Sequence, residues 1–255
     1  MSRAAALQTT GAGAETPLPV KVMLLGAFRL SPEPVPADLP GTVQRLVALL
    51  ALHGRPLHRL YVAGTLWPDA PEERAFASLR SALWRLRSSG CRIVRPTGTH
   101  LRIAGGVDID ALSLIALARR LDASEHMGGL DSGKGGLDGL VDRFDEDLLP
   151  DWYDDWVIVW RERWRHVRLH ALESLAVQLG RAGAYSRGIE AGLAAVRAEP
   201  LRESAHRALI SVHIAEGNGD EALRQFASYR SLVQEELGIV PSHLMEELVA
   251  GLTAH

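Results

Sequence analysis

The sequence has one cysteine, Cys91, among its 255 residues, and only 5% of the residues are aromatic. A single cysteine cannot form an internal disulfide, which excludes a disulfide-stabilised scaffold. No base adjoins Cys91 in the sequence, so we interpret it as a small buried residue and not as a nucleophile. With 47% hydrophobic and 23% charged residues, the rest of the composition is that of a folded protein of one or two domains.

Long hydrophobic runs are also missing. The longest, residues 46–52 (LVALLAL), is far shorter than the roughly 20 residues that a membrane-spanning helix needs. Residues 4–7 are too short to be the core of a signal peptide. We therefore expect no membrane partner, a cytoplasmic location, and a disordered tail over residues 1–19.

The familiar motifs of catalysis are absent. There is no Gly-x-Ser-x-Gly, no Cys-x-x-Cys and no Gly-x-Gly-x-x-Gly after a strand. Gly128, Gly133 and Lys134 match part of a phosphate-binding loop, but Gly135 replaces the Ser or Thr that would hold Mg²⁺, and no hydrophobic strand precedes the segment. A glycine-rich linker is the better interpretation, and we expect neither an enzyme nor a cofactor.

One set of residues that could bind a metal ion is spaced as on one face of a helix. Glu162, His166 and His170 are four residues apart and could place two imidazoles and a carboxylate on one helix face. They lack the His-Glu-x-x-His order of a metalloprotease, and arginines surround them. Charge patterning on a helix surface is the preferred interpretation, and no metal is expected.

The charge is divided unevenly along the chain. Residues 1–105 contain 13 Lys and Arg against 6 Asp and Glu, a net charge of +7, whereas residues 106–255 carry 15 against 25, a net charge of −10. A basic half suggests a polyanionic partner, and double-stranded DNA is the first to consider.

The basic half has the order of elements of a winged helix. Two short β-rich runs over residues 20–30 precede apolar helical patterns over 43–53, 57–66 and 71–90. Alternating apolar residues around a Pro-Thr-Gly-Thr turn then predict a hairpin over 92–103. A small sheet, three helices and a basic hairpin are the order of an OmpR-type winged helix-turn-helix domain.

The third helical segment carries the predicted recognition surface. At 100° per residue, its apolar residues share one face: Ala75, Leu79, Ala82, Leu83 and Leu86. The opposite side carries Arg74, Ala77, Ser78, Ser81, Trp84 and Arg85, with Arg80 and Arg87 on its flank. Arginine reads guanine edges and serine accepts either base, so such a helix suits the major groove.

The predicted DNA contacts come from this helix and from the hairpin. They are Arg74, Ser78, Arg80, Ser81, Arg85, Arg87, Arg95, Thr97 and Thr99. For any one of these arginines alone, a solvated surface residue is the simpler interpretation.

The sequence of the acidic half predicts mainly helices. A glycine-rich loop spans about residues 126–139, and a long helix follows from Asp154 to about Arg181, with three tryptophans spaced by four that indicate core or interface. Similar residues recur 34 positions apart in this half of the chain. This period predicts two helix pairs, 170–182 with 184–198 and 201–217 with 219–237. We therefore expect a mainly α protein with a small β part, ending in an all-α tetratricopeptide-like domain with a surface for a partner.

Several segments together resemble the SARP or AfsR-type transcriptional activators of actinobacteria. In the first half these are 24–30 (LLGAFRL), 66–68 (LWP), 71–74 (PEER), 79–87 (LRSALWRLR) and 95–98 (RPTG). In the second half 148–156 (LLPDWYDDW), 199–203 (EPLRE) and 235–242 (EELGIVPS) are similar to the bacterial transcriptional activation domain. The similarity covers about residues 20 to 250.

The resemblance implies a winged helix at 20–105 and an activation domain at 107–252 in a small, stand-alone, nucleoid-associated activator. It implies a homodimer on direct repeats and recruitment of RNA polymerase through the sigma or alpha subunit, for secondary-metabolite or other pathway genes. Ser81, Arg85 and Arg87 match positions of base or phosphate contacts, whereas Phe76 and Ala77 stand where relatives often carry Arg or Asn. This departure leaves an alternative open: a protein-interaction scaffold whose winged helix has lost sequence readout.

Overall fold

A computed structural model describes residues 20–31, 39–123 and 139–252. The expected tail at 1–19, the partial phosphate-binding loop from Gly128 to Gly135 and all of the glycine-rich loop except Gly139 lie outside these residues. Within them, the chain is mainly helical with two small sheets, as the sequence predicts.

The basic half contains five strands and three helices in the described residues. They are β1 (Lys21–Met23), β2 (Arg29–Ser31), α1 (Gly41–His53), β3 (Leu57–His58), α2 (Arg59–Leu66), α3 (Glu72–Ser88), β4 (Val94–Thr97) and β5 (His100–Ile103). Strand β1 pairs antiparallel with β2, and β5 lies between β3 and β4 in an antiparallel sheet. The predicted hairpin over 92–103 is thus the β4–β5 pair, which turns at Gly98 with φ of +60°.

The prediction for the second helix was wrong at its start. Residues Leu57 and His58 form β3, which pairs with Leu101 and His100, and the helix begins only at Arg59. The ring nitrogen Nδ1 of His58 accepts a hydrogen bond from the Leu60 N–H at 3.2 Å and caps the helix. Pairing with a strand some 40 residues downstream overrides the local helical pattern.

Helix α3 buries four of the five apolar residues that the periodicity placed on its core face. Ala75, Leu79, Ala82 and Leu86 are buried in the common core, but Leu83 is only half-buried. Leu83 instead faces the hairpin side of the helix, as described below.

The acidic half continues with one short strand and seven helices in the described residues. They are β6 (Asp108–Ile109), α4 (Asp110–Ala123), α5 (Leu140–Asp145), α6 (Asp155–Arg181), α7 (Tyr185–Ala198), α8 (Glu203–Glu216), α9 (Gly219–Leu237) and α10 (His243–Ala250). The helix pairs expected from the 34-residue period are α6 with α7 and α8 with α9. A Cβ on Gly192 of α7 would lie 3.0 Å from Leu209, so a glycine lets α7 and α8 pack closely.

One hydrophobic core extends through both halves, and a smaller second cluster lies around Ile210, Tyr229 and Met245. Strand β6 pairs parallel with β1, and a bridge joins Leu25 to Leu148 just before α6. Trp152 stacks on Phe28 with ring centroids 6.0 Å apart, and Arg45 of α1 forms an ion pair with Asp154. These contacts fix the position of the winged helix on the helical domain.

Asp110 is the polar centre of this junction. Its carboxylate accepts hydrogen bonds from the N–H groups of Leu24 (2.9 Å), Leu25 (3.2 Å) and Ala111 (2.6 Å). The side chain therefore ties the first helix of one half to the residues that directly follow β1 in the other.

We expect Asp110→Asn to lower the free energy of unfolding by about 1–3 kcal/mol, because an amide presents a donor to N–H groups and leaves one of them unpaired. Chemical denaturation measures this change. Asp108→Asn is the matched control, because Asp108 accepts an exposed bond from Ser113, and it should change stability less. An equal effect of the two substitutions would contradict the assigned role of Asp110.

His206 is buried between α8 and α9. Its ring is 2% exposed and lies 4.3 Å from that of Tyr229. The ring nitrogen Nε2 is 2.8 Å from the Pro200 carbonyl, and Nδ1 is 2.8 Å from the Gln225 amide nitrogen. A neutral ring satisfies both contacts when Nε2 donates and Nδ1 accepts, and burial lowers the pKa of His206.

Because the folded-state pKa of His206 is lowered, its contribution to stability is present above its unfolded pKa of about 6.5 and is lost as the pH falls below it. We expect the free energy of unfolding to decrease from pH 7.5 towards pH 5, and the decrease to be smaller in His206→Gln. Denaturant titrations of both proteins across this range measure it. Parallel pH profiles for the two proteins would contradict the prediction.

Candidate nucleic-acid interface

The solvent-facing side of α3 carries a row of basic and hydroxyl residues. Arg74, Ser81 and Arg85 are exposed and Ser78 is half-buried. They follow one another at four, three and four residues along the helix, so they lie on one stripe. The buried residues Ala75, Leu79, Ala82 and Leu86 hold this stripe outward from the core.

A groove of about 710 Å³ separates α3 from the β4–β5 hairpin. Five arginines line it: Arg59, Arg80, Arg87, Arg92 and Arg95. Apolar residues form the rest, among them Leu83, Trp84 and Pro96. Trp84 is 68% exposed, which is unusual for an indole.

The hairpin is held against the start of α2. The Arg59 N–H donates to the Thr99 carbonyl at 2.9 Å, and the rings of His58 and His100 pack edge to face 5.2 Å apart. Thr97 and Thr99 are exposed on either side of the turn. The wing is therefore a fixed ridge beside α3.

The arginines of this surface are unpaired. The described part of residues 20–105 contains twelve Lys and Arg but only three Asp and Glu. Within the part of the chain that the structure describes, none of the arginines at positions 74, 80, 85, 87, 92 and 95 forms an ion pair or a side-chain hydrogen bond. Their guanidinium groups are free to bind an anion such as a backbone phosphate.

The structure divides the nine predicted contact residues into three sets. Arg80, Arg87 and Arg95 line the groove, whereas Arg74, Ser78, Ser81 and Arg85 form the stripe on the other side of the exposed surface of α3. Thr97 and Thr99 lie at the tip of the wing. All nine residues are on or beside the solvent-facing surface of α3 and the wing, and their contacts with DNA stay a prediction.

Sequence reasoning missed two basic residues of the groove, Arg59 and Arg92. Arg92 lies just before β4, and the signal that could have found it is its place in the basic segment 92–103 that was predicted as the hairpin. Arg59 had no such signal, because it reaches the groove only through the pairing of β3 with β5. Cys91 lies at the floor of the groove, buried as the sequence predicts, and burial raises the pKa of its thiol.

The candidate metal ligands on α6 form ion pairs and hydrogen bonds with neighbouring side chains. Glu162 forms an ion pair with His166 at 3.0 Å and accepts hydrogen bonds from Arg165, which lower the pKa of Glu162. No group of three His, Cys, Asp or Glu in residues 20–31, 39–123 and 139–252 could hold a metal ion. No helix in those ranges is long and apolar enough to cross a bilayer.

Comparisons with known proteins identify the family of the helical half and a relative of most of the chain. The family model of the bacterial transcriptional activator domain matches residues 110–252. The regulatory protein AfsR of Streptomyces coelicolor (strain ATCC BAA-471 / A3(2) / M145) is 27% identical over 207 residues, which are 80% of this chain and 21% of that protein. The chain thus spans about a fifth of the length of this curated relative.

The fold has a counterpart among solved structures. EmbR of Mycobacterium tuberculosis, solved in complex with a low-affinity phosphopeptide, superimposes with a TM-score of 0.72 at 18% identity, over 91% of this chain and 64% of that one. At this identity the likeness establishes the fold alone. Since the activator-domain model covers more than half of its residues and AfsR resembles four fifths of it, the chain belongs to the SARP/AfsR-type family of bacterial transcriptional activators.

Proposed function

We propose that the chain is a sequence-specific DNA-binding activator of transcription in which residues 20–105 bind DNA and residues 107–252 act on the transcription machinery. The observation that carries this proposal is the unpaired arginine surface of α3 and the wing, which no acidic residue of the described chain neutralises. Membership of an activator family supports the same role. The proposed role is not enzymatic.

In the proposed complex, α3 enters the major groove with its stripe of Arg74, Ser78, Ser81 and Arg85 toward the base edges. Arg80, Arg87 and Arg95, which line the groove between helix and wing, bind the sugar–phosphate backbone. Thr97 and Thr99 at the tip of the wing add contacts to the adjacent backbone. Phosphate contacts supply most of the affinity, and the stripe supplies the selectivity.

Two further features complete the proposal. The chain binds direct repeats on DNA as a homodimer, in the cytoplasm at the nucleoid. There it recruits RNA polymerase by contacting the sigma or alpha subunit of the polymerase. The promoters are those of secondary-metabolite or other pathway genes. Asp110, Leu148 and Trp152 contact the segment between β1 and β2. These contacts support joint action, because they hold the helical domain at a fixed position relative to α3.

The salt dependence of DNA binding tests the proposal and distinguishes it from the scaffold alternative. We expect the logarithm of the binding constant of a promoter fragment to fall linearly with the logarithm of salt concentration, since each neutralised phosphate releases counterions. Arg80→Ala and Arg87→Ala should each reduce the slope by about one. A slope near zero would favour a scaffold whose winged helix no longer binds DNA.

A further inference from the structure

A second groove, unrelated to the arginine surface of α3, lies in the helical domain between α6 and α8. It measures about 430 Å³, and the end of α4 closes one side through Leu121. Glu173, Ser174, Gln178 and Arg181 line it from α6. Ser204, Arg207, Ala208 and Ser211 line it from α8.

Gln178 is the informative residue of this groove. It is only 8% exposed, and its amide nitrogen donates to the Leu121 carbonyl at 2.9 Å, which fixes the orientation of the amide. Its oxygen, Oε1, is then buried without a hydrogen-bond partner. A buried acceptor without a donor is unfavourable, so a ligand whose N–H reaches this oxygen gains from binding.

The groove is basic although it lies in the acidic half of the chain. Its one acidic residue, Glu173, is already bound by Arg202 at 2.6 Å and by Ser204 at 2.8 Å. Arg207 is 3.8 Å from Glu203, whose carboxylate also accepts bonds from Ser242. Arg181 forms no ion pair with any residue that the structure describes. The Arg181 guanidinium is therefore available to a carboxylate, and Arg207 keeps only a long ion pair with Glu203, so its remaining N–H groups can add to the same site.

The geometry suits an extended polypeptide. Ser174, Gln178 and Arg181 lie four and three residues apart on one face of α6, a rise of about 10 Å at 1.5 Å per residue. An extended chain advances about 3.3 Å per residue, so this row is as long as roughly three peptide residues. A peptide backbone supplies the N–H that Gln178 lacks, whereas the backbone of DNA has no hydrogen-bond donor to supply.

We propose that this groove binds an acidic peptide segment of a partner protein, with its backbone on Gln178 and its carboxylates on Arg181 and Arg207. Arginine and carboxylate form charge-assisted hydrogen bonds, which are stronger than neutral ones. The proposal concerns the helical domain alone and stands whether or not α3 reads DNA.

Fluorescence anisotropy with the full chain tests this site. The probe is a fluorescein-labelled peptide of about eight residues containing Asp, Glu and Leu, compared with the same peptide carrying Asn and Gln. We expect saturable binding of the acidic peptide only. Equal binding of the two peptides, or no saturable binding of either, would overturn the proposal.

Substitutions locate the bound peptide. Arg181→Gln and Arg207→Gln should each weaken binding about tenfold, and Gln178→Met about fivefold. Arg119→Gln is the control, since Arg119 is an exposed arginine of α4 outside the groove, and it should leave the affinity unchanged. An Arg181→Gln variant that binds the peptide as tightly as wild type would show that the peptide binds elsewhere. So would competition by duplex DNA, if DNA displaced the peptide from the wild-type protein but not from the Arg80→Ala variant.

Discussion

Trp164→Ala is expected to lower the free energy of unfolding by about 3–5 kcal/mol, which is a large part of the stability of a domain. Trp164 is 2% exposed and stacks on Phe144 with ring centroids 6.0 Å apart. Its indole N–H donates to the Glu146 carbonyl at 2.9 Å. Alanine would leave a cavity and an unpaired carbonyl in the segment that joins the helical domain to the winged helix.

Trp84→Ala is the matched control, because it removes the same side chain from an exposed position on α3. We expect it to change the free energy of unfolding by less than about 0.5 kcal/mol. Chemical denaturation followed by circular dichroism measures both variants. A loss below about 1 kcal/mol for Trp164→Ala would contradict the assignment of Trp164 to the core.

Arg85→Ala has the largest expected effect on DNA recognition. If Arg85 makes a bidentate contact with guanine, its loss weakens specific binding by about 1–3 kcal/mol and relaxes the preference at one base position. Arg87→Ala should instead lower affinity almost uniformly across sequences, since Arg87 lines the groove next to the wing. The two arginines are two residues apart on α3 and face different sides.

Binding of both variants to a set of single-base operator substitutions separates these roles. Arg224→Ala is the control, because Arg224 is an exposed arginine of α9 that pairs with Glu221, and it should bind like wild type. An unchanged base preference in Arg85→Ala would make Arg85 a phosphate or surface residue.

The sequence was sufficient for features that local patterns determine. The wing could be predicted because alternating apolar residues flank a turn at Gly98, and α3 because its apolar residues recur at helical spacing. The helix pairs of the acidic half followed from the 34-residue period, and the small residues of α7 explain their close packing.

Features that depend on distant pairing could not be predicted. Strands β3 and β6 have two residues each, and they exist because Leu57 pairs with Leu101 and Val22 with Ile109. For the same reason Arg59 was missed in the groove. Leu83 is half-buried because it meets the hairpin, and helical periodicity alone carries no information about that neighbour.

Selection from random duplex DNA with the purified full chain, read by sequencing near physiological salt, tests most directly whether the α3 surface reads sequence. The account predicts enrichment of a short direct repeat spaced by about one helical turn of 10–11 base pairs, and loss of one base preference in the Arg85→Ala variant. Binding without any enriched motif would contradict it, because the arginines of α3 and the wing would then contact phosphates alone.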